Sequence, residues 1–180
     1  MKIAISGKSG CGNSTVTQRV ADRLGYRRIN YTFKDIAAEE GIPFDKLCDL
    51  AEHDSRWDKL LDRRQVEMAG DGDTVLGSRL AIWILDDADL RIYLDAPLAV
   101  RAGRIRKRNL ETGHEPTDLG EVIQKTAERD QRDRARYLRL YGIDNDDYGF
   151  VDLIIDTTEL GPDDVADRIV AAARRAQAAP

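Results

Sequence analysis

The residues best suited to chemistry open the chain: Gly7-Lys8-Ser9-Gly10-Cys11-Gly12-Asn13-Ser14-Thr15. The glycines let the backbone curl so that successive N–H groups converge on one point. A helix begun directly afterwards aims its positive end at the same point. This arrangement predicts a cradle for nucleotide phosphates. Ser14 stands where a hydroxyl reaches a Mg²⁺ ion bridging two phosphates. The pattern G-x-x-x-x-G-K-[ST] is met except at one position, because Asn13 occupies the lysine's place. That lysine ordinarily carries charge to the β- and γ-phosphates. Lys8 either supplies the missing charge or is a solvated side chain at a variable loop position.

A second set is basic. Arg129, Arg132, Arg136 and Arg139 follow one another at intervals of three, four and three, which puts them on one face of a helix. Asp130 and Asp133 are expected off that stripe. A row of guanidinium groups is repulsive unless an anion faces it, and the planar fork suits phosphate. Closing over a phosphoryl group, the row would neutralise developing charge and exclude water. A salt-bridged, solvent-facing helix is the plain alternative. Arg104 and Arg108, four apart, extend the cluster. Arg79 follows a strand's C-terminal end, where open α/β sheets bind ligands. His53 and His114 have no catalytic setting and read as surface residues. Cys11 reads as a small loop residue without an activating partner, and Trp57 and Trp83 read as core.

The elements that must position these groups alternate. Lys2–Ser6, Arg28–Tyr31, Thr74–Leu76, Leu90–Leu94 and Asp152–Asp156 read as strands. Helical spacing covers Ser14–Leu24, Phe33–Glu40, Phe44–Glu52, Ser55–Ala69, Leu80–Leu85, Pro97–Arg108, Leu119–Leu140 and Pro162–Ala178. Asn109–Asp118 is polar and loop-like. Strands alternating with helices predict a parallel five-stranded sheet covered on both faces, with ligands at the C-terminal strand ends.

Composition bounds the partners. The 180 residues carry 28 Lys and Arg against 33 Asp and Glu, a net charge of −5. That argues against a polymeric nucleic-acid or membrane-surface partner. Between Arg101 and Arg139 there are 11 basic and 7 acidic residues, a local +4, so the remainder carries −9. A basic segment on an acidic chain points to a small anionic ligand. No apolar run approaches the ~18–20 residues of a membrane helix. The first residues reach glycine too early for a signal peptide. With two cysteines and no disulfide framework, a reduced cytoplasmic setting is expected.

Over nearly its whole length the chain resembles the P-loop nucleoside monophosphate kinases, and most closely the archaeal-type cytidylate kinases. The phosphate loop comes first, and that subfamily also tends to lack the loop lysine. Ile29-Asn30-Tyr31-Thr32-Phe33-Lys34 is similar to its acceptor-side segment, with Lys34 where the family usually has arginine. Leu61-Asp62-Arg63-Arg64-Gln65 matches a stretch of the acceptor-binding insertion. Val75 to Ala81 resembles the strand and arginine that hold the acceptor phosphate, though Gly77 falls where relatives often carry an acid. Asp89 to Pro97 with Val100-Arg101-Ala102, Arg136-Tyr137 with Tyr141 to Asp144, and Asp152 to Thr157 are further matches.

The resemblance implies a three-layer P-loop NTPase fold in one domain, with an acceptor-binding insertion over about residues 33–69 and a lid over about 109–136. It implies transfer of the ATP γ-phosphoryl group to CMP or dCMP, with Mg²⁺, by a monomer. Lys8, Arg129 and Arg132 are then the expected catalytic groups. The residues from Gly7 to Thr15 with Arg104 and Arg108 would hold ATP, and Lys34, Arg63, Arg79 and Arg136 the acceptor. Two other readings stay open: a kinase for another small acceptor, and a nucleotide-binding regulator with decayed catalysis.

Overall fold

The computed structural model describes residues 1–113, 115 and 117–178; His114 lies outside them. Its centre is β1 (Lys2–Gly7), buried from Ile3 onward. Ile3 and Ile5 face one side of the sheet and Ala4 the other, as the two-residue strand period requires. Strands β2 (Arg27–Ile29), β3 (Thr74–Gly77), β4 (Leu90–Asp95) and β5 (Leu153–Asp156) complete the sheet in the order β2-β3-β1-β4-β5, every pair parallel. The register sets Ile5 beside Gly77 and Gly7 beside Leu94. The three central strands therefore end together, beneath the glycine loop. The predicted three-layer α/β architecture is the one observed.

Two helices cover one face. Helix α1 (Asn13–Leu24) and α8 (Pro162–Ala178) bury Val16, Val20, Val165 and Ile169 against Ile3, Ile5, Ile92, Leu94 and Ile155. On the other face the one-turn helix α5 (Ala81–Ile84) sets Ala81 and Ile82 against Ala4, Leu76 and Tyr93. Trp83 packs edge-on to Tyr93 and Phe150. Helices α2 (Phe33–Glu40), α3 (Phe44–His53) and α4 (Arg56–Ala69) enclose a separate small core of Tyr31, Ile36, Ala37, Leu47, Ala51 and Trp57. Both tryptophans are thus packing residues. Helices α6 (Leu98–Glu111) and α7 (Leu119–Tyr141) form the remaining arm. Among the described residues no helix is long and apolar enough to cross a membrane.

Strand β2 ends at Ile29 instead of Tyr31. Tyr31 is drawn into the small core, and Thr32 makes a reciprocal capping box with Asp35 that starts α2. Pro97 caps α6 from outside, and the helix runs one turn past Arg108.

The lack of an acid at Gly77 has a steric cause. A Cβ at that position would run into Thr17 of α1, 2.8 Å from its Cβ and closer still to its hydroxyl. The buried Thr17 hydroxyl has no hydrogen-bond partner. Gly77→Ala should therefore cost about 1–3 kcal/mol through overpacking, and adding Thr17→Ala should recover part of the loss. Thr17→Ala alone should be near neutral, because it removes an unsatisfied hydroxyl. Denaturant titration of the double-mutant cycle measures the coupling; additive effects would refute this account.

Candidate active site

The loop after β1 folds as the glycine spacing demands. Gly10 and Gly12 adopt φ +89° and +99°, the left-handed region that other residues avoid. Gly12 is the N-cap of α1, which has no side-chain cap and no acid in its first turn. The helix's leading N–H groups are therefore left for an external anion. Ser14 and Thr15 stand exposed on that first turn. The Asn13 side chain folds back on the loop: its amide donates to the Gly7 carbonyl at 2.6 Å, and its Oδ1 is buried without a partner. At the lysine position the sequence thus supplies a brace for the loop instead of a cation.

Lys8 projects from the loop, and its ammonium pairs with Asp146 at 2.5 Å. Asp146 belongs to the segment between α7 and β5, where Arg134 also holds Asp144. Cys11 is buried in the main core, and burial pushes its thiol up to about 11. It is protonated near neutrality and inert as a nucleophile.

A cleft of about 1110 Å³ opens above the loop. One end is lined by Arg104, Arg108, Thr157 and Leu160, the other by Asn30, Thr32, Lys34, Phe44, Gly77, Ser78, Arg79 and Arg129. Arg104 is anchored by donating to the Thr157 carbonyl and hydroxyl. Arg108 is exposed at the rim. Lys34 lies over the Phe44 ring at 5.7 Å. Arg79 reaches inward, donating to the Ser9 hydroxyl at 2.8 Å and pairing with Asp133 at 3.2 Å. Arg129 comes within 4.0 Å of the same carboxylate. Burial first, then the neighbouring Arg79 charge, lowers the Arg129 pKa. Two guanidinium groups share one acid, so the cleft carries excess positive charge beside the loop.

The arginine row is not used as a row. Arg129 alone of the four lines the cleft. Arg132 and Arg139 are exposed, Arg132 beside Glu128 and Ala135 on an outer groove. Arg136 is turned toward α4, donating to the Asp58 carboxylate and the Ala51 carbonyl. Arg63 is exposed beside Glu67, outside the cleft. Asp133 is on the stripe, contrary to expectation: it is four residues after Arg129 and faces it. That spacing was visible in the sequence. The partner roles of Asp58, Asp146 and Arg101 carried no local signal, because each contact joins distant segments.

Among the described residues no group of three or more His, Cys, Asp or Glu could hold a metal. Ser14 and Thr15 expose hydroxyl oxygens at the loop. Such donors would suit a hard cation ligated mostly by phosphate and water, as Mg²⁺ is.

An uncapped helix start under a glycine loop, at the C-terminal ends of a parallel sheet and opposite two arginines, defines a P-loop phosphotransferase. A model of the cytidylate kinase-like family matches residues 2–159, and the chain belongs to that family. It is 47% identical over 173 residues to cytidylate kinase 2 of Borreliella burgdorferi, covering 94% of this chain and 93% of that protein. It is 39% identical over 165 residues to cytidylate kinase of Pyrococcus horikoshii, covering 91% and 83%. Among solved structures, shikimate kinase from Bacteroides thetaiotaomicron superposes with a TM-score of 0.60 at 16% identity, covering 97% of this chain and 98% of that one. Deoxyadenosine kinase from M. mycoides gives 0.55 at 18%, covering 97% and 100%. These two likenesses concern the fold alone.

The contacts between α4 and α7 are titratable. Tyr141 donates to Asp62 at 2.5 Å, next to the Asp58–Arg136 pair. Burial raises Asp62 to about 6, above the ordinary carboxylate value of 3.8. The native state therefore keeps this proton longer than the unfolded chain, and stability falls as pH climbs from about 4 to about 6. Asp62→Asn keeps an acceptor for Tyr141 and removes the titration. Its stability relative to wild type should improve by about 1–3 kcal/mol between pH 4 and pH 8. Thermal unfolding across that range tests this; a constant difference would refute it.

Proposed function

We propose that the protein transfers the γ-phosphoryl group of ATP to CMP or dCMP, giving CDP or dCDP and ADP. The observation that carries the reading is one cleft in which the uncapped start of α1 faces Arg79 and Arg129. The acceptor is taken from the relatives' names, cytidylate kinase in bacterial and archaeal sequences alike.

The loop amides would bind the ATP β- and γ-phosphates, with the triphosphate continuing toward Arg104 and Arg108. The acceptor would lie at the opposite end, between Lys34 and Arg79. An acceptor phosphate oxygen attacks the γ-phosphorus in line, and the bond to the β–γ bridging oxygen breaks to release ADP. A nucleotide phosphate is mostly doubly ionised at neutral pH, with its second pKa about 6, so the step needs no strong base. Arg129 neutralises charge on the moving group. The Ser14 hydroxyl would help hold Mg²⁺, which would supply further charge neutralisation. Lys8 adds to this if its ammonium exchanges Asp146 for phosphate. Residues 109–136 would act as a lid that excludes water, and 33–69 as the acceptor-binding insertion.

ADP release should be fastest with CMP or dCMP among AMP, CMP, dCMP, UMP and GMP acceptors, and should need Mg²⁺. Binding of ATP without turnover on any acceptor would refute the proposal. Arg129→Ala should lower kcat about 10²–10³-fold, the scale of losing one preorganised charge donor. Lys8→Ala should lower it as well; unchanged turnover would remove Lys8 from the mechanism.

A further inference from the structure

A loop that turns its N–H groups inward must turn carbonyls outward, and each outward carbonyl needs a donor. The Gly7 carbonyl has the Asn13 amide at 2.6 Å, and the Lys8 carbonyl has the Cys11 N–H at 3.1 Å. The Ser9 carbonyl, at the crown, is held from far away in the chain: Arg101 on α6 donates to it through Nη1 at 3.1 Å.

Arg101 is 5% exposed and does not line the cleft. Its Nε donates to the Ala96 carbonyl at 3.1 Å, which ties it to the end of β4. Its Nη2 donates to Asp130 Oδ2 at 2.7 Å. The contact is also steric. A Cβ at Gly10 would stand 2.7 Å from the Arg101 carbonyl oxygen and 2.8 Å from its Cβ. Gly10 is thus required both by its left-handed backbone and by close approach to Arg101.

We propose that Arg101 is a positioning residue of the phosphate loop, and that its pair with Asp130 couples the loop to α7. Arg101 fixes the Ser9 peptide from behind, so that the loop's amides stay aimed at the donor phosphates. Asp130 immediately follows Arg129, which faces the same phosphates from the cleft side. A shift of α7 that moves Arg129 toward the γ-phosphate therefore moves the carboxylate that Arg101 holds. The Arg101 fork is needed because three acceptors on three elements must be met at once, which an ammonium at that depth cannot do with the same geometry.

This inference rests on the phosphoryl-transfer reading, and the tests separate the two. ATP and CMP affinities are measured by titration calorimetry, together with kcat and the unfolding temperature, for wild type, Arg101→Met, Arg101→Lys and Asp130→Asn. Arg101→Met should weaken ATP binding about tenfold or more, the effect of losing a buried charge-assisted hydrogen bond. CMP affinity should fall less than ATP affinity, since the acceptor end meets the loop crown only through Arg79, which donates to the Ser9 hydroxyl. Arg101→Lys should recover part of the ATP affinity. Asp130→Asn leaves the Ser9 bond in place, so it should lower kcat more than ATP affinity.

Wild-type ATP affinity in both Arg101 variants would overturn the proposal. So would equal losses for ATP and CMP in step with the unfolding temperature, which mark general destabilisation. If Arg101→Met does not fold, Arg101→Lys and Asp130→Asn decide by the same criteria. If wild type binds ATP but phosphorylates no monophosphate, the function fails; a selective ATP loss in the variants would still support the role of Arg101.

Discussion

The unpaired N–H groups at the start of α1 are the constraint around which this molecule is arranged. A side-chain cap there would be worth about 0.5–2 kcal/mol to the helix. The sequence forgoes it, placing Gly12 at the cap and no acid in the first turn. The main core closes directly beneath, with Val16 and Val20 packed on Ile3, Ile5 and Leu94. The helix cannot fray to relieve its exposed amides without losing that packing. A phosphate arriving at the loop completes what the chain leaves unsatisfied, and the rigid sheet keeps the amides converged before it comes.

Helix α7 contacts several parts of the site. Over two turns Arg129 enters the cleft, Asp130 holds Arg101 behind the loop, Asp133 holds Arg79, Arg134 holds Asp144, and Arg136 holds Asp58 of α4. Each partner sits on a different element. A small displacement of this helix therefore acts on the loop, the arginines and the helical insertion together. Neighbouring acids and arginines on this helix pair with partners on several other elements. The charge excess of the segment is thus partly internal scaffolding.

The sheet and the loop were legible because their signals are local. Apolar runs of four to six residues, punctuated by glycine and alternating with helical spacing, specify a parallel sheet, and the glycine pattern in its strand–helix context specifies the cradle. The site's remaining geometry was less legible. The spacing of Arg129, Arg132 and Arg136 suggested one shared cationic face, but only Arg129 lines the cleft. Once α4 lies across that helix, Arg136 meets Asp58 before it can meet a ligand. Nothing local distinguishes Arg101 from the other basic residues of α6, yet it is buried. Its burial follows from the close approach of Gly10, which only the folded loop creates.

The lysine missing from the loop is explained by the same accounting of carbonyls and charge. Asn13 gives up a cation but satisfies the Gly7 carbonyl, and a Cβ at Gly7 would stand 2.7 Å from its Oδ1, so the amide is packed tightly in place. Positive charge reaches the loop from its flanks instead: Arg79 bonds the Ser9 hydroxyl, Arg129 stands opposite, and Lys8 waits on Asp146. These cations come from separate elements and two of them lean on Asp133. An incoming polyphosphate has to draw them off a carboxylate, and the carboxylate has to remain solvated or paired when they go. On the proposed reading, anion binding and a shift of α7 would be one electrostatic event, in which a stronger anion takes the place of Asp133 and Asp146 on the arginines and the lysine.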